Sequence, residues 1–284
     1  MSVFFAQIRQ MIIPGRGGEY GPLPPLLVAM TVVTGLVDAF SYLVLGHVFV
    51  ANMTGNVVFL AFALAGARGF SLRAVVVALA AFGAGALAGG GLASRLGRHR
   101  GKLLSATAAV QTLLLTAGVV IAALARSSMP AGDRYGLIVV LATSMGAQNA
   151  TARRLAVPDL TTTVLTLTIT GIAADSALAG GTGAKAGRRL VSVTAMLMGA
   201  LVGALFVVHA QIVYPLMIAL ATVAIIAVTT RVLTRPDPAW ARAQLTHRPR
   251  LPPRSAALSR GGYSGDEDRT RTCAPSASTG LSAR

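Results

Sequence analysis

Between residues 25 and 233 the chain runs through eight apolar segments, at about 25–46, 48–66, 73–93, 103–125, 135–152, 158–179, 190–210 and 212–233, and the connectors between them hold nearly all the charge. A soluble domain carries roughly 25% charged residues to cover its surface. Here 12% are charged and 54% are hydrophobic, too little polar surface to face water on every side. The fold class that follows is an all-α integral membrane protein, a polytopic helical bundle.

How many segments cross is decided by length and charge. A full span needs about 20 apolar residues. The first, third, fourth, seventh and eighth segments meet this, and the fifth is marginal. The second is joined to the first by only "LGHV" and opens with "ANMTGN", while the sixth, "PDLTTTVLTLTITGIAAD", begins with Pro158 and Asp159. If all eight crossed with the N-terminus inside, the loop "SRLGRHRGK" (94–102) and the pair Arg153 and Arg154 would lie outside, against the tendency of cytoplasmic loops to hold the Lys and Arg. If segments two and six instead enter and return on one side, the basic loops and both termini fall on the cytoplasmic side. About six transmembrane helices plus two broken or re-entrant segments is therefore expected, with eight crossings as the rival.

An internal similarity points the same way. "GLVDA" (35–39) aligns with "GAQNA" (146–150), and "ANMTGNVV" (51–58) with "PDLTTTVL" (158–165). Gly85-x-x-x-Gly89 likewise aligns with Gly199-x-x-x-Gly203. Two halves, about 25–125 and 135–233, each with an odd number of crossings, predict an inverted repeat of the kind common in secondary transporters. The paired glycines let helices approach closely. Packing within the chain is the default use, and a homodimer face is the alternative. Residues 1–24 read as an N-terminal cytoplasmic segment, and the Arg/Pro/Ser-rich tail 234–284 as disordered, because it lacks an apolar period.

The polar residues inside apolar segments are the candidates for function. Asp38 shares a helical face with Thr31, Thr34 and Ser41. A charged acid at mid-membrane costs about 2.5–3.5 kcal/mol on insertion scales. Protonation, a polar partner or a cation would remove that cost. The alignment suggests exchanged acid and amide partners, Asp38 and Asn52 in one half, Asn149 and Asp159 in the other. Thr54, Gly55 and Asn56, and Thr161, Thr162 and Thr163, suit places where helix backbone opens and its freed groups need side-chain partners. Asp38, Asn52, Thr54, Asn56, Gln148, Asn149, Asp159 and Thr161 to Thr163 thus form a candidate midplane site for a small solute, proton or cation. A purely structural polar clasp is the other reading. No nucleotide loop, cofactor motif, metal-ligand cluster or nucleophile with a nearby base occurs, so no enzyme, cofactor or metal is expected. Aromatics at 5% give no support to nucleic-acid binding despite the net charge of +16.

The stretches "TGLVDAFSYLVLGHVFVANMTGN" (34–56) and "GAQNATARRLAVPDLTTTVLTLTITGIAAD" (146–175) resemble the YoaK-like family, uncharacterised bacterial multi-pass inner-membrane proteins of about six helices. The resemblance covers roughly residues 25–233. It implies a helical bundle in a bacterial plasma membrane, contact with the lipid bilayer, and no particular activity. The function expected from the residues is gradient-driven transport, with a non-catalytic membrane scaffold or accessory protein as the alternative.

Overall fold

A computed structural model describes residues 20–125, 129–157, 165–176, 179–180, 186–209, 211–236 and 238–242. Each apolar segment has become one helix: α1 Leu23–Val44, α2 Met53–Leu64, α3 Leu72–Leu96, α4 Arg100–Leu124, α5 Ala131–Leu155, α6 Leu165–Ala174, α7 Ala186–His209 and α8 Tyr214–Thr234. Helix is the form in which an apolar segment can satisfy its own backbone without water. Starts are marked by side chains: Ser71 accepts from the Ala74 amide, His99 from Lys102 and Asn52 from Gly55.

Helices α1, α3, α4, α7 and α8 are long and apolar enough to cross a membrane. The sixth long helix, α5, has 25 residues with charge at its ends only, Asp133 and Arg134 at one and Arg153 and Arg154 at the other. Its middle, from Leu137 to Thr151, holds most of its buried residues. By contrast α2, with 12 residues, is about 18 Å long at 1.5 Å per residue and falls short of a core about 30 Å thick. The described part of α6 has 10 residues. The molecule is a helical membrane bundle.

The most buried helices are α1 and α5, and α1 shows it among the apolar spans. Its apolar window is 61% buried, against 22–33% in α3, α4, α7 and α8, whose outer faces show Leu and Val to the surroundings. Those faces meet lipid. The pairing of helices crosses between the halves: α1 lies on α7, α3 on α5, and α4 between α5 and α8.

Both cross-half pairs rest on glycine. A Cβ on Gly35 would strike the backbone of Met196 and Ala200, and one on Gly199 would strike the Val32 carbonyl. In the second pair, Gly85 abuts the Thr143 carbonyl and Gly146 the Phe82 carbonyl. Gly89 packs on Ala147 and Ala150, and Gly203 on Leu36 and Ala39. Contacting residue numbers rise together in each pair, so α1 runs parallel to α7 and α3 parallel to α5. Backbone meets backbone at these crossings because only glycine leaves room for it. All four glycines expected to pack helices (Gly85, Gly89, Gly199 and Gly203) do so inside the chain.

One end of the bundle gathers distant parts of the sequence. The Trp240 ring fills the space beside Gly21 and reaches Gly101, Arg100 lies 5.1 Å over the Tyr20 ring, His99 bridges to Arg242, and the Arg154 guanidinium rests on Gly97. Residues 238–242, expected to belong to a disordered tail, instead form a short 3-10 turn at this end. The physical reason is Trp240, one large apolar ring with a slot to fill. Thr234, also expected in that tail, closes α8; residues 243–284 and most of the segment 1–24 lie outside the described residues.

Gly85→Ala should lower the thermal unfolding temperature of the detergent-solubilised protein, in line with an overpacking cost of about 1–3 kcal/mol. Gly83→Ala, where a Cβ meets open space, should be neutral or raise it, because alanine favours the helix by up to about 1 kcal/mol. Equal effects of the two substitutions would contradict the crossing described.

Candidate functional site

Helix α1 ends at Val44, and Gly46 and His47, with φ of +90° and +55°, turn the chain back on itself. Residues Phe49 to Ala51 then run alongside the helix they have just left. Their amides find side chains: Asp38 Oδ1 accepts from Val50 N at 3.2 Å and Ala51 N at 2.8 Å. Asn56 acts as a surrogate strand edge, its Oδ1 accepting from Phe49 N at 2.9 Å and its Nδ2 donating to Phe49 O at 2.6 Å. No helix serves these backbone groups, and with Asn56, Val50 and Ala51 buried, leaving each unmet would cost about 1–3 kcal/mol. Tyr42, Phe49, Phe59 and Phe70 form a chain of ring contacts, with centroids 5.0–5.5 Å apart, that closes over the turn. His47 Nδ1 lies 3.2 Å from the Gly69 carbonyl, so the chain leaves α1 and comes back to the same end of it around α2.

Asp38 therefore finds its partners in the backbone of its own half, where an amide from the other half was expected. Pairing by residue type cannot see a backbone donor, and the turn supplies two. Asn52 caps α2 and is exposed, and Thr54 is exposed beside it. Neither side chain bonds to the Asp38 carboxylate, although the Asn52 backbone amide bears on it alongside those of Val50 and Ala51, whereas the Asn56 side chain joins Asp38 in holding the turn. Asp159, Thr161, Thr162 and Thr163 lie outside the described residues.

A second group of polar side chains lies deeper, between α1, α4 and α5. Gln148 Nε2 donates to Thr34 Oγ1 at 2.9 Å and approaches the Met30 carbonyl at 3.4 Å, while Gln148 Oε1 accepts from Gln111 Nε2 at 2.6 Å. One turn on, Thr107 and Thr151 share a hydrogen bond at 2.8 Å. This ladder is fully buried and ties the two halves together. Asn149, adjacent to Gln148 but turned away by a helical step, donates to the Met145 carbonyl. Gln111 and Thr107 are the residues that reading the sequence missed. Gln111 is the single amide side chain in α4, which is the signal that could have found it.

The ladder continues towards the turn. α1 and α5 run antiparallel, so Asp38, one turn beyond Thr34, and Ser144, one turn beyond Gln148, extend the polar column in the same direction. Among the described residues, three buried atoms of this region have no hydrogen-bond partner: Asp38 Oδ2, Ser144 Oγ and Gln111 Oε1. The column is thus rich in acceptors, with one carboxylate and neutral amides and hydroxyls, and its members are shut off from solvent. Such a set can accept a proton, a small cation or a hydrogen-bond donor.

The family described as proteins of unknown function (DUF1275) matches residues 26–229, from the first turn of α1 into the last turns of α8. The chain is also 32% identical over 154 residues to the UPF0700 transmembrane protein YoaK of Bacillus subtilis (strain 168). That similarity covers 53% of this chain and 65% of the relative, a little under two thirds of its length. No solved structure matches.

Asn56→Ala should destabilise the protein by about 1–3 kcal/mol through the orphaned Phe49 backbone. Thr54→Ala should stay within about 0.5 kcal/mol, as expected for an exposed position. Denaturant titrations of the two variants in the same micelle would separate them.

Proposed function

The chain belongs to the DUF1275 family, and we propose that it is a gradient-driven, non-enzymatic carrier of a small solute or ion, with the column from Gln111 and Gln148 to Asp38 as its site in an occluded conformation. The carrying observation is the trio of buried, unpartnered polar atoms, Asp38 Oδ2, Ser144 Oγ and Gln111 Oε1. A column that served only to fasten helices would gain by pairing each of them, since a buried unmet polar group is costly. A column that receives a proton or cation keeps acceptors in hand. Intramembrane acids of this kind mark ion pathways in many transporters.

The architecture fits that reading. We take the two halves as an inverted repeat: first helix of one half on third helix of the other, twice over, with α4 against α8 between them. Such pairs can rock about a central site. The glycine crossings, where smooth backbone slides on backbone, suit the motion. The charge distribution supports one orientation in a bacterial inner membrane. Arg95, Arg98, Arg100, Lys102, Arg153 and Arg154 lie at the end that carries the start of α1 and the close of α8, so both termini are assigned to the cytoplasm.

One observation favours the rival reading of a scaffold or accessory protein. Asp38 Oδ1 and both polar atoms of Asn56 are spent on the backbone of the turn. The two readings part on Asp38→Asn, which keeps an acceptor for Val50 and Ala51 but removes the carboxylate.

The full-length protein, reconstituted in vesicles loaded with a pH-sensitive dye and given a potassium-diffusion potential, should speed proton entry severalfold over protein-free vesicles. Asp38→Asn should abolish the gain while incorporating equally well. If wild type shows no flux of protons, Na+ or K+ above the protein-free baseline, the carrier reading fails and the scaffold stands.

A further inference from the structure

The start of α4 carries charge where a helix tolerates it least. The N-terminal end of a helix is already positive, through its unpaired N–H groups and its dipole, and acids are favoured there. Here the first turn contains no acid. Arg98 stands before the helix, with Arg100 and Lys102 inside it. Arg95 closes α3 a few residues earlier, and Arg154 is drawn in from α5, its guanidinium against Gly97. Arg153 is its neighbour. Arg95, Arg98, Lys102, Arg153 and Arg154 are all exposed. Among the described residues the ion pair of Arg189 with Asp175 involves none of them. An anion bound among these bases would relieve the repulsion within the group.

The surroundings say which anion. Tyr20 and Trp240 pack at the same end, and aromatic rings of this kind sit at headgroup level. Directly above the bases, on the lipid side of α3, Gly90 and Gly91 are exposed and a Cβ on either would meet nothing within 4 Å. Unlike Gly85 and Gly89 on the opposite face, they have no packing duty inside the chain, although glycine weakens a helix. Ser94, next in line, turns its hydroxyl back to the Gly91 carbonyl at 2.7 Å, which mutes its polarity. The result is a shallow strip of bare backbone leading down to a cluster of guanidinium groups: a chain above, a phosphate below. We infer that the cytoplasmic ends of α3, α4 and α5 form a binding site for one anionic phospholipid, its phosphate held by Arg95, Arg98, Arg153 and Arg154 and an acyl chain lying along Gly90 and Gly91.

The full-length protein in detergent micelles, analysed by native mass spectrometry, tests this with three probes. Dioleoyl phosphatidylglycerol should bind about tenfold more tightly than dioleoyl phosphatidylcholine, which has the same chains. Glycerol phosphate, the headgroup without chains, should not displace it at equal concentration. Arg95→Gln with Arg98→Gln should bring the anionic lipid down to the zwitterionic level, Arg95→Lys with Arg98→Lys should keep most of the preference, and Arg68→Gln with Arg73→Gln at the other end should change nothing. Gly90→Leu with Gly91→Leu should weaken the anionic lipid severalfold at unchanged charge. The proposal is overturned by any of four results: equal binding of the two lipids to wild type, full retention in the glutamine pair, displacement by glycerol phosphate, or a leucine pair that alters the oligomeric state and leaves lipid binding intact. The last would identify a second copy of the chain as the occupant of that face.

Discussion

In a hydrocarbon environment no backbone amide can be left to the solvent, and that demand shapes this molecule more than any side-chain preference. Six long helices meet it by themselves. The difficulty arises where the chain leaves α1 and folds back beside it, because Val50 and Ala51 are buried, Phe49 is half-buried, and none of the three belongs to a helix. Asp38 and Asn56 answer it, each placing polar atoms on amides that have no other acceptor. The short α2 exists because that turn can exist. An acid in the middle of a greasy helix, at first sight an unaffordable charge, is there to replace water.

The same logic separates the two polar groups of the core. Around the turn, side chains meet backbone, and most of their capacity is used. Between α1, α4 and α5, side chains meet one another, and capacity remains. Gln148 is the hinge of the second group, since it reaches Thr34 and Gln111 at once. The first group explains why the fold is possible, and the second gives the carrier reading its physical content. Family membership is shared with proteins described only as being of unknown function, so the chemistry of these side chains is the firmest guide to what the bundle does.

Much of this was legible in residues 25–233 before any coordinates. Eight apolar runs became eight helices; the second, a weak candidate for crossing, became a short one, and the sixth is described over Leu165–Ala174. Basic loops fixed which ends belong together, because charge and hydropathy act locally. Asp38, Asn56 and Gln148 stood out because polarity in lipid demands a reason. What the sequence hid was partnership. Nothing in "GLVDAF" says that the carboxylate meets Val50 and Ala51, since every residue carries the same amide. Gln111 escaped notice for a related cause, as a lone amide in α4 gains meaning only beside Gln148. Trp240, set in a stretch without apolar period, acquired a role from a groove formed by Gly21 and Gly101, more than a hundred residues upstream.

The interlaced glycine contacts have a consequence for biogenesis. Gly35 needs α7 and Gly85 needs α5, so the glycine faces of the first helices to emerge from the ribosome have nothing yet to close against. These helices must wait in the bilayer, α1 and α3 with their smooth faces uncovered, until the later helices have been threaded in. The bundle therefore comes together as one event near the end of translation, and a chain cut short between the halves leaves surfaces that quality-control proteases are built to find.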